Sequence, residues 1–191
     1  MEASFSHIPF MSGFSTEPWQ YGVIVMIRKK AQSNLLKDLR SVVLTEAKWN
    51  FNNKVLGKMT LDRAEKYKLL PPEQYRSRKG KKSIDHVINK QQTYNILRRT
   101  RQPGLLCSND AKSCFDWVVH SVTMLAYWRL GIQAPPVEGM IKTIKNMKPH
   151  IQTTYGDSTF VVSADGSLQP YQGLLQGNGT SPAKWVIISG P

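Results

Sequence analysis

Cysteine is scarce in this sequence. The two cysteines, Cys107 and Cys114, do not form a Cys-x-x-Cys pair, and the four histidines are scattered along the chain. A disulfide-stapled secreted domain or a zinc finger needs more such residues at closer spacing. The sequence therefore argues against both classes, and we expect free thiols.

Long apolar runs are also lacking. No stretch approaches the roughly 18–20 apolar residues that a membrane-spanning helix needs, and the N-terminus has no basic region followed by an apolar one. We therefore expect no signal peptide and no membrane partner. The expectation is an intracellular protein, with nucleus and cytoplasm not distinguished.

Acidic residues are few. The 191 residues include 26 Lys and Arg but 13 Asp and Glu, which gives a net charge of +13. Residues 76–101 hold nine of these cations and a single acid, Asp85. Such an excess repels itself unless a polyanion neutralises it, so nucleic acid is the expected partner. A basic RNA-binding protein of the ribosomal type would carry the same charge.

Hydrophobic periodicity predicts an α+β fold, with helices packed on a small antiparallel sheet. The first 17 residues show no periodicity and are expected to form a loose lead-in. The patterns predict strands at 22–27, 40–44, 104–109, 151–162 and 167–175, and helices at 47–70, 84–96, 117–130 and 137–147. They also predict a hairpin turn at Asp165-Gly166 and a helix end at Gly131.

One segment with candidate chemistry begins at Asp110, directly after a predicted strand, and contains Phe115 and Asp116. A carboxylate at the end of a strand can bind a divalent cation in a water-accessible cleft. The alternative is that Asp110 caps the following helix, since Asp is a preferred N-cap residue. The segment alone favours the cap.

Two further segments have equally plain alternatives. Residues 173–182 form a glycine-rich turn that leads into Ser-Pro, which suits close approach of a ligand but also an ordinary loop. Residues 74–85 place cations around Gly80 beside an aromatic ring, which suits phosphates but also a solvated face.

Taken together, the three segments resemble the fingers and palm of a reverse transcriptase of the non-long-terminal-repeat retrotransposon or group II intron type. Residues 110–116 match the family pattern Asp-x-x-x-x-Phe-Asp, and residues 173–182 match Gly-x-x-Gln-Gly-x-x-x-Ser-Pro at every defining position. Residues 74–85 resemble a fingers segment more loosely, as do residues 19–29, 40–44 and 54–56. Ser41, Arg76 and Trp117 depart from the family pattern.

The resemblance implies a right-hand polymerase fragment with fingers at 18–103 and part of the palm at 104–191. In such enzymes two Mg²⁺ ions support the transfer of a deoxynucleotide to a primer. Asp110 would be the catalytic metal ligand, helped by the Ala111 carbonyl. The implied partners are an RNA or DNA template with its primer and deoxynucleoside triphosphates; no protein partner is implied.

The resemblance also assigns binding roles. Lys29 or Lys30 and Arg40 would grip the triphosphate, and Phe115 would exclude a 2′-hydroxyl, unless it is simply a core aromatic. Gln176 and Gly177 would lie against the nucleotide. The template backbone would follow four cations of the fingers: Arg78, Lys79, Lys81 and Lys82.

One family motif is missing from the 191 residues. An aromatic residue followed closely by Asp-Asp is expected a few tens of positions beyond Pro182, and no Asp-Asp pair occurs in the sequence. We therefore expect a truncated polymerase domain that is catalytically silent alone, so enzymatic activity stays uncertain. The alternative is a decayed or domesticated module that binds nucleic acid without catalysis.

Overall fold

The computed structural model describes residues 2–33, 35–105, 107, 111, 114–158 and 173–189. Within these ranges the chain is an α+β fold with one four-stranded sheet and six α-helices. The elements in chain order are α1 Glu2–Met11, β1 Tyr21–Arg28, β2 Leu39–Thr45, α2 Ala47–Lys66, α3 Ser83–Thr100, α4 His120–Arg129, α5 Ala134–Lys145, β3 Lys148–Thr153, β4 Gly156–Asp157 and α6 Ser181–Ser189.

The sheet has the strand order β2-β1-β3-β4. β1 and β2 form an antiparallel hairpin in which Ile24 faces Val43. β1 and β3 are parallel, whereas β3 and β4 are again antiparallel. The prediction of an antiparallel sheet is therefore wrong for its central pair. The four helices α2–α5 separate β1 from β3, and the chain returns to the sheet in the same direction.

The core lies on the face of the sheet that carries Ile24 and Val43. Helix α5 contributes the largest apolar stripe, since Val137, Met140 and Ile144 are each 0 % exposed. These positions recur at three- and four-residue steps, so they share one side of the helix. Trp49 of α2 completes the centre of the same cluster.

Helix α2 has well-defined ends. The Glu46 side chain accepts a hydrogen bond from the Trp49 N–H at 2.7 Å, which satisfies one of the free donors of the first turn. At the other end Lys68 adopts a φ of +53° and turns the chain away. The helix ends at Lys66, four residues before the predicted end, because this turn precedes the prolines.

The N-terminal residues differ from the prediction of a loose lead-in. Residues 2–11 form α1, and Phe10 is only 5 % exposed in the core beside α2 and α5. Pro9 lies within this helix. A proline in a helix and a short apolar segment obscure helical periodicity, which explains the missed element.

Three predicted strands need correction. Gly104, Leu105 and Cys107 are irregular in the structure, and the rest of 104–109 lies outside the described residues. The predicted strand 151–162 instead turns at residues 154–155 to form the β3–β4 hairpin. Residues 173–175 are irregular too, while the predicted turn at Asp165-Gly166 lies outside the described residues.

The predictions for α3, α4 and α5 are confirmed in type. Helix α4 starts at His120, three residues later than predicted, because 114–117 form a turn. Gly131 follows α4 with a φ of +67° and donates to the Trp128 carbonyl, as predicted for a helix end. Among the described helices, none has both the length and the hydropathy to cross a membrane.

Candidate nucleic-acid interface

The glycine-rich segment begins against the turn at residues 114–117. The Leu174 N–H donates to the Phe115 carbonyl over 2.6 Å. Gly173 has a φ of +85°, and a Cβ there would lie 2.4 Å from the Phe115 carbonyl oxygen. The approach therefore requires glycine for both backbone conformation and space.

Phe115 lies between this contact and helix α6. Its ring meets the Trp185 ring edge-on, with centroids 6.1 Å apart and an angle of 69°. The Phe115 side chain is partly exposed rather than fully buried. The contact with Trp185 is compatible with a core aromatic, and the remaining exposure is compatible with a sugar contact.

The glycine-rich segment then crosses to the free edge of β2. The Val43 N–H donates to the Gln176 carbonyl at 2.8 Å, so Gln176 pairs with a strand edge that would otherwise lack a partner. Gly177 follows with a φ of +112°, and a Cβ there would lie 2.4 Å from the Val43 carbonyl oxygen. The second glycine is thus also fixed by close packing.

Asn50 lies at the start of helix α2, and its side-chain amide binds the glycine-rich segment through both its nitrogen and its oxygen. Its Nδ2 donates to the Gly177 carbonyl at 3.1 Å, and its Oδ1 accepts from the Gly179 N–H at 2.7 Å. Sequence reasoning missed Asn50, because no local pattern indicates a partner more than a hundred residues away.

Three predicted triphosphate-binding cations lie at the loop end of the β1–β2 hairpin. Lys29 follows β1, and its N–H donates to the Asp38 carbonyl at 2.8 Å. Lys30 lies 3.7 Å from an Asp38 carboxylate oxygen. Arg40 faces Ile27 in the register, and all three cationic side chains are exposed.

The predicted template-binding cations lie at a different place. The Arg78 guanidinium makes two hydrogen bonds to the Glu65 carboxylate, of 2.6 and 2.7 Å, and a third to the Pro71 carbonyl. The Arg78 hydrogen bond holds the pKa of Glu65 below its usual value. Arg78 therefore ties its loop to the end of α2 and has little capacity left for a phosphate.

The other three predicted template-binding cations lie in the same loop, where Lys81 is partly buried. The ammonium group of Lys81 lies 5.0 Å from the centre of the Tyr75 ring and donates to the Pro72 carbonyl. Lys79 and Lys82 are exposed at its two sides. We name the three residues Lys79, Lys81 and Lys82 the lysine loop.

Helix α2 fixes the separation between the lysine loop and the glycine-rich turn. Asn50 contacts the turn and Glu65 contacts Arg78. Fifteen residues of α-helix between them correspond to about 22 Å at 1.5 Å per residue. One nucleic-acid strand rises by about 3.4 Å per phosphate, so the span matches about six nucleotides.

The predicted metal site is not formed by the described residues. Asp110 lies outside them, and Ala111 is described only as an exposed irregular residue. No cluster of three or more His, Cys, Asp or Glu side chains that could bind a metal ion occurs within the described ranges. The described residues therefore do not test the predicted Mg²⁺ site, and Asp110 stays a prediction.

Two buried ionisable groups lie behind the glycine-rich segment. A His120 ring nitrogen is 2.8 Å from the Gly173 carbonyl oxygen, and burial lowers the pKa of His120. Lys184 of α6 is 1 % exposed, and its Nζ has no hydrogen-bond partner among the described residues. Burial lowers the pKa of Lys184 to about 7.

Comparisons with known proteins add no assignment. No protein-family model matches the chain, and no curated protein is significantly similar to it.

Proposed function

We propose that this chain is the fingers and part of the palm of an RNA-directed DNA polymerase, and that it binds a primer–template and an incoming deoxynucleotide. The observation that carries the proposal is the meeting of two sequence segments. Residues 173–177 bond to Phe115 on one side and to Val43 of β2 on the other. These segments are the ones that resemble two polymerase motifs.

Strand β2 links this meeting point to the hairpin cations. The Val42 side chain lies 3.4 Å from the position of a Cβ on Gly177. Arg40 shares that face of β2, since side chains alternate along a strand. Arg40 and Val42 are two positions apart along the strand, which corresponds to about 7 Å. An anion held by Arg40 would therefore lie close to the Gly177 turn.

In the proposal each part has a separate role. Lys29, Lys30 and Arg40 bind the triphosphate, and the lysine loop binds the template backbone. Gln176 and Gly177 contact the incoming nucleotide, and the Phe115 ring packs against its sugar. Arg78 is left out of the contact set because Glu65 already engages its guanidinium.

The chemical step is outside this proposal. Among the described residues, no group of three or more His, Cys, Asp or Glu side chains could bind a dication. The 191 residues also contain no Asp-Asp pair. The proposal for this chain is therefore one of binding and nucleotide selection.

The second candidate is a basic nucleic-acid-binding module without nucleotide selection. The observation that favours it is the charge: in the described ranges, Lys30 and Arg78 are the Lys and Arg residues that pair with a carboxylate. The remaining positive charge attracts any nucleic acid. The two candidates differ in whether a complementary deoxynucleotide changes binding.

Binding of a labelled primer–template, measured by fluorescence anisotropy over a range of salt concentrations, tests the proposed interface. Replacing Lys79, Lys81 and Lys82 by Gln is expected to weaken binding and to lower the slope of log K against log salt by about 2.7, at about 0.9 per phosphate contact. The change removes charge from two exposed lysines and from the partly buried Lys81, and it does not alter either residue of the Arg78–Glu65 pair.

The matched control replaces Lys142, Lys145 and Lys148, three exposed cations of α5 and β3, by Gln. The proposal predicts that this triple variant keeps most of the wild-type salt slope. Equal losses in both triple variants would mean that the lysine loop is only a solvated basic face, and the proposed template contact would be rejected.

A further inference from the structure

We infer that a groove along helix α3 binds unpaired nucleic acid, as a single-strand site separate from the glycine-rich turn. The groove has a volume of about 680 Å³, within the range of ligand-binding clefts. One face of α3 lines the groove, together with residues that follow the helix and with Tyr75; the following residues are Gln102, Gly104, Leu105 and Cys107.

The wall formed by α3 is continuous. His86, Lys90, Tyr94 and Leu97 follow one another at three- and four-residue steps and all line the groove. At the end of α3, Arg101 adopts a φ of +51°, which turns the chain back along the helix. Gly104 then passes so close to Leu97 that a Cβ would lie 2.6 Å from a Leu97 methyl carbon.

Tyr94 is the surface on which a base would stack. Its side chain is 42 % exposed in the groove and makes no ring contact with another described residue. The Tyr75 ring already has two neighbours: the Lys81 Nζ lies 5.0 Å from its centre, and the centre of the His86 ring lies 5.3 Å from it. Aromatic stacking accepts every base, so it suits a strand without a fixed sequence.

The positive charge around this groove favours a polyanion as its ligand. Lys90 and Arg98 line the groove, and Arg99 and Arg101 lie at the C-terminal end of α3. None of these four cations pairs with an acid in the described structure. Glu73 is the acidic residue of the lining. Cations beside an aromatic platform are the combination that binds single strands, with phosphates on the cations and bases on the ring.

Helix α3 is also poorly covered by the part of the chain that the structure describes. None of its 18 residues is buried, and Ile84, Val87 and Ile96 are each more than half exposed. An occupant that covers one face of α3 would stabilise a helix that receives little support from the core. A second copy of this chain is disfavoured as that occupant, because each copy carries a charge of +13.

Binding of a labelled 12-nucleotide oligothymidylate or oligouridylate, measured by fluorescence anisotropy, tests the groove. The change Tyr94→Ala is expected to weaken binding by about 5- to 100-fold, the loss of one stacked base. Tyr94→Phe keeps the ring and is expected to bind as the wild type does. Tyr155→Ala removes a tyrosine that is 100 % exposed in the β3–β4 turn and is the matched control.

The cations are tested by the double change Lys90→Gln and Arg98→Gln. It is expected to lower the salt slope of single-strand binding by about 1.4, at about 0.7 per contact. The matched pair Lys142→Gln and Lys148→Gln is expected to leave that slope near the wild-type value. An unchanged slope in the Lys90 and Arg98 variant would overturn the phosphate contacts.

A blunt 12-base-pair duplex separates this inference from the proposed function. Tyr94→Ala is expected to leave duplex binding unchanged, whereas the lysine-loop variant weakens it. Equal single-strand affinity in Tyr94→Ala and Tyr155→Ala would overturn the groove while leaving the proposed function in place. In another outcome, single-strand binding depends on Tyr94 while the lysine-loop variant binds duplex as the wild type does. That result would reject the lysine loop as a nucleic-acid contact and would support the groove as the single-strand site.

Discussion

The Leu174 N–H and the Phe115 carbonyl are joined by a hydrogen bond of 2.6 Å, although 58 residues separate them in the chain. This bond places the glycine-rich segment beside the segment that follows Asp110. Gly173 precedes the bond and has no room for a side chain. The account of the site depends on this contact more than on any other.

Gly173→Ala is expected to destabilise the fold by several kcal/mol. A non-glycine residue at positive φ costs about 1–2 kcal/mol, and the new Cβ would also overlap the Phe115 carbonyl. Gly80→Ala is the control, since Gly80 has a φ of +75° but nothing within 4 Å of its Cβ position. Urea unfolding of both variants should show a clearly larger loss for Gly173; equal losses would mean that the close approach is absent.

Asn50→Ala is expected to cost about 1–3 kcal/mol, because the Gly177 carbonyl and the Gly179 N–H both lose a partner. Asn50→Asp keeps the acceptor for Gly179 and should fall between the wild type and Asn50→Ala. Asn95→Ala on exposed α3 is the control and should change stability little. Urea unfolding measures all three; no difference between Asn50→Ala and Asn95→Ala would contradict the role of the amide.

Phe115→Val separates the two roles open to this residue. In the proposed function the smaller side chain lets a ribonucleotide bind almost as well as a deoxynucleotide, because bulk under the sugar is removed. Loss of the Trp185 contact costs about 0.5–1.5 kcal/mol in either case. The measurement is the affinity of the primer–template complex for each complementary nucleotide. A destabilised variant with an unchanged deoxy-to-ribo preference would identify Phe115 as a core aromatic.

Lys184 gives the fold a stability that rises with pH. The unfolded chain holds the Lys184 proton up to pH 10.5, whereas the folded chain holds it up to about pH 7. Between these values the unfolded state binds more protons, so raising the pH stabilises the folded state by about 1.4 kcal/mol per pH unit for this group. Tyr127 shares its surroundings, and burial raises the pKa of Tyr127, so Tyr127 stays neutral in this window.

Comparing the free energy of unfolding of the wild type with that of the variant Lys184→Met isolates the contribution of Lys184. From pH 7 to pH 9 the wild type should gain about 2–3 kcal/mol relative to the variant in urea unfolding. Burial lowers the pKa of His120 below 6.5, with a smaller contribution from the charge of Lys184, so His120 is mostly neutral above pH 7 and contributes little to the difference. A constant difference across this range would mean that Lys184 keeps its charge in the folded state.

Local patterns predicted the elements that have local causes. The β-branched run predicted β1, the apolar steps predicted α2, the proline pair at 135–136 predicted the start of α5, and Gly131 marked the end of α4. The parallel pairing of β1 with β3 was not predictable in this way, because strand direction depends on residues far apart in sequence. Helix α1 was missed because Pro9 interrupts its pattern.

The candidate site likewise contains residues that a local sequence pattern indicates and residues that it does not. The glycines at 173 and 177 stood out in the sequence, and the structure shows which backbone atoms require them. Arg78 looked like a free cation, whereas its carboxylate partner Glu65 is brought to it by the turn after α2. Asn50 and Lys184 carried no local signal, since their importance arises from distant contact and from burial.

The most direct measurement of the central claim is the dissociation rate of this chain from a labelled primer–template, in Mg²⁺ buffer, with each deoxynucleotide added in turn. The account predicts that the nucleotide complementary to the next template base slows dissociation, while the three others do not. Arg40→Gln should abolish the slowing without loss of basal binding. Equal rates with all four nucleotides would contradict the account and leave a basic nucleic-acid-binding module.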